Sequence, residues 1–398
     1  MGGPLPLGLP WPESNQIEPQ RDCGSFHAYV HIPFCTVRCG YCDFNTYTAS
    51  EIGDVSKDSF HLALLTEIES SKLVLERSGI QMPSLSSVFF GGGTPSLMRA
   101  TQIRMIISAL DSQHGLKPGA EITLEANPDN ITSELVDELA EAGVTRISVG
   151  VQSFDRDVLK VLDRTHDPRL VEAAIKTIKA VGMDVSLDLI FGAPGESLEV
   201  WLETVDQALA LDTHHISAYS LIVEPGTKLA KQIERGVYPD TDEDLNALKY
   251  EEASKRFIAA GLSWYEVSNF GQPSLHNQAY WQSRNWWGFG PGAHSHIAGN
   301  RFWNRKHPLA YQQALETNSQ VMGMEVLTQR QHLEERLLLE LRTSAGVPRS
   351  LLQDLEVSPA KVSQALADGL LTMKGPDFLV VTDRGRLLVD GITVQFLT

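Results

Sequence analysis

Cysteine is scarce, with four in 398 residues. That is too few for a disulfide scaffold and favours a reducing compartment. No stretch reaches the roughly 18 apolar residues of a membrane-spanning helix. Positive charge is in deficit: 33 Lys and Arg stand against 50 Asp and Glu, for a net charge of −17. Such a surface argues against nucleic-acid backbones or anionic lipid as partners. The opening, "MGGPLPLGLPWPESNQIEPQRD", lacks the basic, apolar and small-residue succession of a secretory signal. It is also poor in Arg for a transit peptide, and Pro6 stands where a myristoylation motif wants Ser or Thr. Residues 1–26 read as a flexible tail and the protein as cytoplasmic.

Beyond the tail, β-rich runs alternate with amphipathic stretches. The expected strands are 27–32, 87–90, 121–126, 146–151, 185–191 and 215–221. Between them, Leu135, Val136, Leu139 and Ala140 share one helical face ahead of a stop at Gly143, and Leu198, Trp201, Leu202, Val205 and Leu209 repeat likewise. Six strand–helix units predict an α/β fold with a parallel sheet and helices outside, a partial (β/α)6 barrel spanning residues 27–265. Ligands then belong at the carboxyl ends of the strands. The pattern breaks over 266–330, which is rich in Gly, aromatics and His. Over 331–398 the texture is that of helices and a short hairpin, a winged-helix-like domain. Its seven Lys and Arg against nine Asp and Glu over 332–398 favour a structural or docking role over DNA binding.

Three of the four cysteines fall in "HIPFCTVRCGYCDF". Cys35, Cys39 and Cys42 come directly after the first expected strand, at the spacing C-x3-C-x2-C. A structural zinc site wants four ligands, usually as two distant pairs. A redox dithiol at Cys39 and Cys42 leaves Cys35 without a role. Three thiolates suit an iron–sulfur cube with one iron left open, unlike the four-cysteine clusters of electron transfer. An open iron can be chelated by the amino and carboxylate groups of S-adenosylmethionine, whose C–S bond a reduced cube can cleave. Cys23 reads as a bystander thiol. After the second strand, "GGGTPS" (91–96) offers close backbone approach and free peptide groups.

On these residues the chain resembles the radical SAM superfamily, whose hallmark is the C-x3-C-x2-C triplet. "YVHIPFC", "GGGTP", "EANP", "GVQSF", "LDLIFG" and "HNQAYW" narrow the resemblance to its coproporphyrinogen-dehydrogenase-like branch, covering almost everything after residue 26. The resemblance implies a [4Fe–4S] cluster on Cys35, Cys39 and Cys42. It implies S-adenosylmethionine contacts from Tyr29, Tyr41, Gly92, Gly93, Thr94, Glu125, Gln152, Arg164 and Asp188. Asp188 could accept from ribose hydroxyls and Arg164 could pair with a carboxylate, although a strand-end polar residue also caps neighbouring helices.

Within the branch, the dehydrogenase pattern carries a further cysteine two positions after the third, where this chain has Phe44. It also has a longer leading segment. Both departures resemble the HemW-type haem chaperones, which implies haem as cargo, delivery to haem proteins such as respiratory cytochromes, and no dehydrogenase activity. A homodimer is a further expectation. For haem, His276 could supply an imidazole and Tyr280 and Trp281 an aromatic wall, with Arg284, Arg301 and Arg305 near the propionates. His294 and His296 are rivals, and a lone His in an aromatic loop also serves as an ordinary structural residue.

Overall fold

The computed structural model describes residues 8–398. Six strands lie parallel in sequence order: β1 (Phe26–Ile32), β2 (Leu85–Gly92), β3 (Leu116–Ala126), β4 (Arg146–Gln152), β5 (Asp184–Phe191) and β6 (His215–Ser220). Each alternates with period two. In β1, Ala28, Val30 and Ile32 form one apolar face, while His27, Tyr29 and His31 form the other. In β4, Ile147, Val149 and Val151 alternate with Ser148, Gly150 and Gln152. The apolar faces join one core cluster with the covering helices α1 (Phe60–Arg77), α2 (Ala100–His114), α3 (Ser133–Ala142), α5 (Val171–Ala180) and α6 (Leu198–Ala210), while α4 (Arg156–Val161) packs Val158 into a second, smaller cluster with Leu162, Ile190 and Leu229. The opposite faces line the concave side, where Ser148 Oγ donates to Asp188 Oδ2 on the neighbouring strand at 2.7 Å. The interior is therefore polar.

Local chemistry sets the helices. In α3, Thr132 accepts from the Leu135 amide, and Gly143 closes the helix at φ 99°. In α6, Ser197 accepts from Val200, and Trp201, Val205 and Ala208 go into the core.

The six strands do not close on themselves: β1 and β6 pair with further strands instead, so the barrel is partial, as the sequence implied. Beyond that expectation, one sheet of twelve strands runs across the molecule. On the β6 side lie β7 (Trp264–Glu266) and β8 (Asn269–Gly271). On the β1 side lie β9 (Asn285–Phe289), parallel to β1, then β10 (His294–Ile297), β11 (Asn300–Asn304) and β12 (Val321–Val326), all antiparallel. These strands are three to six residues long and largely buried on both faces, so their sequence shows no alternation to read.

The C-terminal residues run helix Gln329–Glu340, β13 (Val347–Pro348), helices Arg349–Asp354 and Pro359–Ala367, then the hairpin β14 (Leu371–Lys374) and β15 (Phe378–Val381). This is the order of a winged helix. Arg386 seats it on the barrel edge, its guanidinium 3.9 Å from the Trp264 ring centroid.

The expected tail over 1–26 needs correction. Its first seven residues lie outside the described residues; the remainder is packed. Leu9 exchanges backbone hydrogen bonds with Met324 at 2.7 and 2.9 Å, the Trp11 ring lies 5.0 Å from Phe302, and Ile17 is buried. Apolar side chains in a Pro-rich segment have found a surface to cover. Among the described residues no helix is long and apolar enough to cross a membrane.

Candidate functional site

The loop after β1 carries the three cysteines at the carboxyl end of the strand. It is held by Cys35 N donating to Tyr47 O at 3.0 Å and Cys42 N to Cys39 O at 3.1 Å. Each sulfur has its own polar neighbour. Thr94 Oγ1 donates to Cys35 Sγ at 3.9 Å, Arg164 Nη1 to Cys39 Sγ at 3.5 Å, and Cys42 Sγ lies 3.8 Å from Thr46 Oγ1. All are free thiols and half-buried. Burial pushes the Cys35 thiol up to about 11 and raises Cys42 too, with the threonine hydrogen bonds working against it. A metal cluster reverses that balance, because a coordinated thiol is deprotonated outright. Cys23 does not join the group: it lies before the amino end of β1, roughly 20 Å away by strand rise, beside Arg21 O.

The glycine-rich loop is pinned against the cysteine loop. Gly93 N donates to Ile32 O and Thr94 N to Phe34 O, each at 2.7 Å. A Cβ on Gly93 would stand 2.5 Å from Phe34 O, and one on Gly92 2.5 Å from the His31 ring. Glycine is required here by proximity, and at Gly92 also by φ +112°. Beside this loop, Gly92 N donates to Glu125 Oε2 at 3.2 Å. Burial, with Asp188 adding to it, pushes the Glu125 carboxyl up to about 8. Burial raises Asp188 as well, although Ser148 donates to it.

Arg164 lies just after α4 and ties the loops together. Besides Cys39, it reaches Asn127 Oδ1 and Gly150 O, each at 2.7 Å, and its Nε is buried without a partner. Tyr41 lies beside Arg164 and Cys39, and burial raises its hydroxyl pKa. Gln152 ends β4 at φ 62°, where the β4–β5 register shifts, a non-glycine outlier of the kind that collects at functional sites. Tyr29 bonds His31 Nδ1 through its hydroxyl at 2.9 Å. Thus eight of the nine residues expected around S-adenosylmethionine lie on β1–β5 or the loops directly after them, and Arg164 follows α4. Asn127, Thr46 and Ser148 join them without having been singled out; Asn127 lies within the quoted "EANP", whereas Thr46 and Ser148 carry no local signal.

The haem expectations fare differently. His276 sits in helix Leu275–Trp281, only 2% exposed, with Nδ1 2.8 Å from Ser87 Oγ and Nε2 2.9 Å from Tyr280 Oη. Both ring nitrogens are engaged, so it has none to offer an iron. His296 is buried, with Nδ1 on Arg284 O at 2.7 Å, and His294 is the exposed member, stacked on Trp303 at 5.7 Å. Arg301 is committed to Glu325 and Glu335, and Arg305 to Ser319 O. Arg284 lies toward the amino ends of the strands, near His27. The three arginines do not converge on the cysteine loop.

A cavity of about 550 Å³ does adjoin that loop, lined by Arg38, Arg156, Lys160, Arg164, Arg169 and Lys228 against Asp163 and Asp167. On so acidic a chain this is a local excess of positive charge beside Cys39.

Residues 29–208 match the Radical SAM superfamily. The heme chaperone HemW of Mycobacterium tuberculosis is 42% identical over 377 residues, covering 94% of this chain and 95% of that protein. HemW of Bacillus subtilis is 33% identical, covering 93% and 98%. Among solved structures, the Escherichia coli coproporphyrinogen III oxidase HemN superposes with a TM-score of 0.80 at 21% identity, covering 94% of this chain and 90% of that one; that likeness is one of fold. With the cysteine triplet, the glycine-rich loop and identity sustained over nearly the whole length, the chain belongs to the HemW family of the Radical SAM superfamily.

Proposed function

We propose that the protein is a cytoplasmic haem chaperone that receives haem and passes it to haem proteins, respiratory enzymes among them. The observation that carries this reading is the likeness to HemW chaperones over nearly the full length of both chains. In this reading Cys35, Cys39 and Cys42 hold a [4Fe–4S] cluster. The donor set fits: three half-buried thiols at one strand end, with Arg164 and Thr94 donating to two of the sulfurs. S-adenosylmethionine fits beside it. Glu125 and Asp188 are buried carboxyls that a positively charged ligand would relieve, and the unpartnered Nε of Arg164 suits a carboxylate. When bound, cluster and nucleoside together supply one-electron chemistry; this chain's residues bind and orient them.

For haem we propose the basic cavity beside Cys39, whose cations suit two propionates. Val37, 50% exposed, lines the same cavity and adds an apolar contact at its rim. A homodimer across that rim would cover it.

The test is an anaerobic haem titration of the cluster-reconstituted protein followed by absorbance, with Lys160→Glu beside it. Saturable, near-stoichiometric binding, weakened several-fold in the variant, is expected. Absence of specific binding, together with decarboxylation of coproporphyrinogen III, would instead make the protein the oxidase its fold resembles.

A further inference from the structure

Five side chains cross the barrel interior in one unbroken line of hydrogen bonds. Ser25 Oγ lies 2.9 Å from His27 Nε2, and His27 Nδ1 lies 2.7 Å from Ser87 Oγ. The same Ser87 oxygen lies 2.8 Å from His276 Nδ1, and His276 Nε2 lies 2.9 Å from Tyr280 Oη. Ser87 is fully buried, His27 and His276 nearly so. Ser25 and His27 line a cavity of about 340 Å³ at the amino ends of β1–β3, with Lys117 and Arg284 in its wall. At the other end, the charged group acting on Tyr280 is Glu125, which belongs to the candidate S-adenosylmethionine site. The line therefore joins two compartments of the molecule.

Its geometry constrains its protons. Ser87 has one hydroxyl proton and, among the described residues, only the two Nδ1 atoms as partners for its oxygen, so it donates to one Nδ1 and accepts from the other, which carries a hydrogen. A neutral His27 protonated on Nδ1 then requires His276 protonated on Nε2, and the reverse. The whole chain points either toward Tyr280 or toward Ser25. Burial keeps both rings neutral: it lowers His27 to about 4, with Lys117 and Arg284 adding, and pulls His276 well below its ordinary value. Glu121 caps the helix that holds His276, its carboxylate accepting from Ser274 Oγ at 2.8 Å and from the amides of Leu275 and His276. That fixes the ring against Phe89, with centroids 5.2 Å apart.

We infer that Ser25, His27, Ser87, His276 and Tyr280 form a proton relay between the amino-end cavity and the barrel interior at Glu125. The ligand it serves is one that takes up or releases a proton while held there. The step balances without a charged side chain in the line. Tyr280 gives its hydroxyl proton to an acceptor in the barrel and takes the proton of His276 Nε2. His276 Nδ1 takes the Ser87 proton, Ser87 takes that of His27 Nδ1, and His27 Nε2 takes that of Ser25. Water in the cavity restores the Ser25 proton and is left as hydroxide beside Lys117 and Arg284, so that one proton has passed from the cavity to the barrel acceptor. Every O–H or N–H bond broken is matched by one formed, and the polarity of the line is reversed. Tyr280 is the terminal donor, and the four residues behind it are positioning and conducting groups. This holds whether or not the protein carries haem.

Ring-15N-histidine labelling of the full chain, read by long-range proton–nitrogen correlation and solvent exchange, tests it. His27 and His276 are expected to be neutral, with opposite tautomers at any instant. The ring proton of His276 is expected to exchange with solvent faster than the buried amide of Val88, which has no relay. Ser87→Ala, which removes one oxygen from the interior, should slow that exchange at least tenfold. Like tautomers, an imidazolium at neutral pH, or wild-type exchange no faster than the Val88 amide would each overturn the proposal without recourse to the variant. So would exchange unmoved in a folded Ser87→Ala, the outcome a static hydrogen-bond network predicts.

Discussion

At the scale of single residues, one carboxyl on the inner side of α1 shows how burial converts to pH dependence. Glu67 accepts from Gly290 N at 2.8 Å, Asn304 Nδ2 at 2.7 Å and Tyr311 Oη at 2.5 Å, joining α1 to β11 and the helix Pro308–Leu315. Burial nevertheless outweighs these bonds and pushes the carboxyl from an ordinary 4.5 up to about 7. Between those values the folded state holds a proton that the unfolded state has lost. Stability contributed by the protonated group is thus fully present below about 4.5, declines as pH rises, and is lost above about 7, a span worth on the order of 3 kcal/mol. Glu67→Gln should remove this slope whatever it does to overall stability. Urea unfolding of both proteins at several pH values from 5 to 8 checks it; a variant-minus-wild-type difference independent of pH would refute the assignment. Sequence periodicity gave no warning of Glu67, because an acidic residue at a core position looks like an imperfect stripe until its three donors are known.

At the scale of elements, the strands that form the site were legible and those that flank it were not. β1 to β6 announce themselves by alternation; Glu125 and Gln152 come from the carboxyl ends of β3 and β4, and Asp188 from the middle of β5. The flanking strands hide because burial on both faces erases the period. The line through His276 was equally hidden: its partners Ser87 and His27 lie on two other strands, and only the tertiary fold brings them to one imidazole. The glycine-rich loop reads in sequence as a place for close backbone approach to a ligand with free peptide groups; the close approach the structure shows is to Phe34 O and the His31 ring, and the amides of Gly92, Gly93 and Thr94 are bonded within the protein. Gly93→Ala would force a methyl to within 2.5 Å of Phe34 O, a backbone atom that cannot swing aside. Relief requires loosening the Gly93–Ile32 and Thr94–Phe34 hydrogen bonds, and lost bonds with overpacking together cost roughly 2–4 kcal/mol. We expect a lower melting temperature and at least a tenfold loss of S-adenosylmethionine affinity by calorimetry on the reconstituted protein. Gly391→Ala, with nothing within 4 Å of the new methyl, is the control and should leave both unchanged. Equal affinity in the two variants would mean that the loop does not hold the nucleoside.

At the scale of the whole molecule, the segment before β1 acts as a strap across the far side of the sheet. It starts on β12 through Leu9, crosses Phe302 with Trp11, and reaches the end of α1, where Ile17 N donates to Ser78 Oγ at 2.9 Å. It then passes the β10–β11 turn, with Gln20 N donating to Ala298 O at 2.8 Å and Asn300 Nδ2 to Glu18 O at 2.8 Å. β12 is the terminal strand of the sheet, and an uncovered edge is a template for pairing with another chain. Leu9 occupies part of that edge, and Trp11 and Ile17 bury apolar surface worth about 1.5–3 kcal/mol each. Removing residues 1–22 should therefore lower the melting temperature by roughly 5–10 °C. It should also produce concentration-dependent association on size-exclusion chromatography, because the exposed edge and the bared Phe302 lie side by side. A truncated protein that melts and elutes as the full chain does would show that the sheet protects its own edge. If instead association appears while the melting temperature holds, the strap serves as a guard against wrong partners, which is what a protein exposing apolar side chains at its cluster rim has most need of.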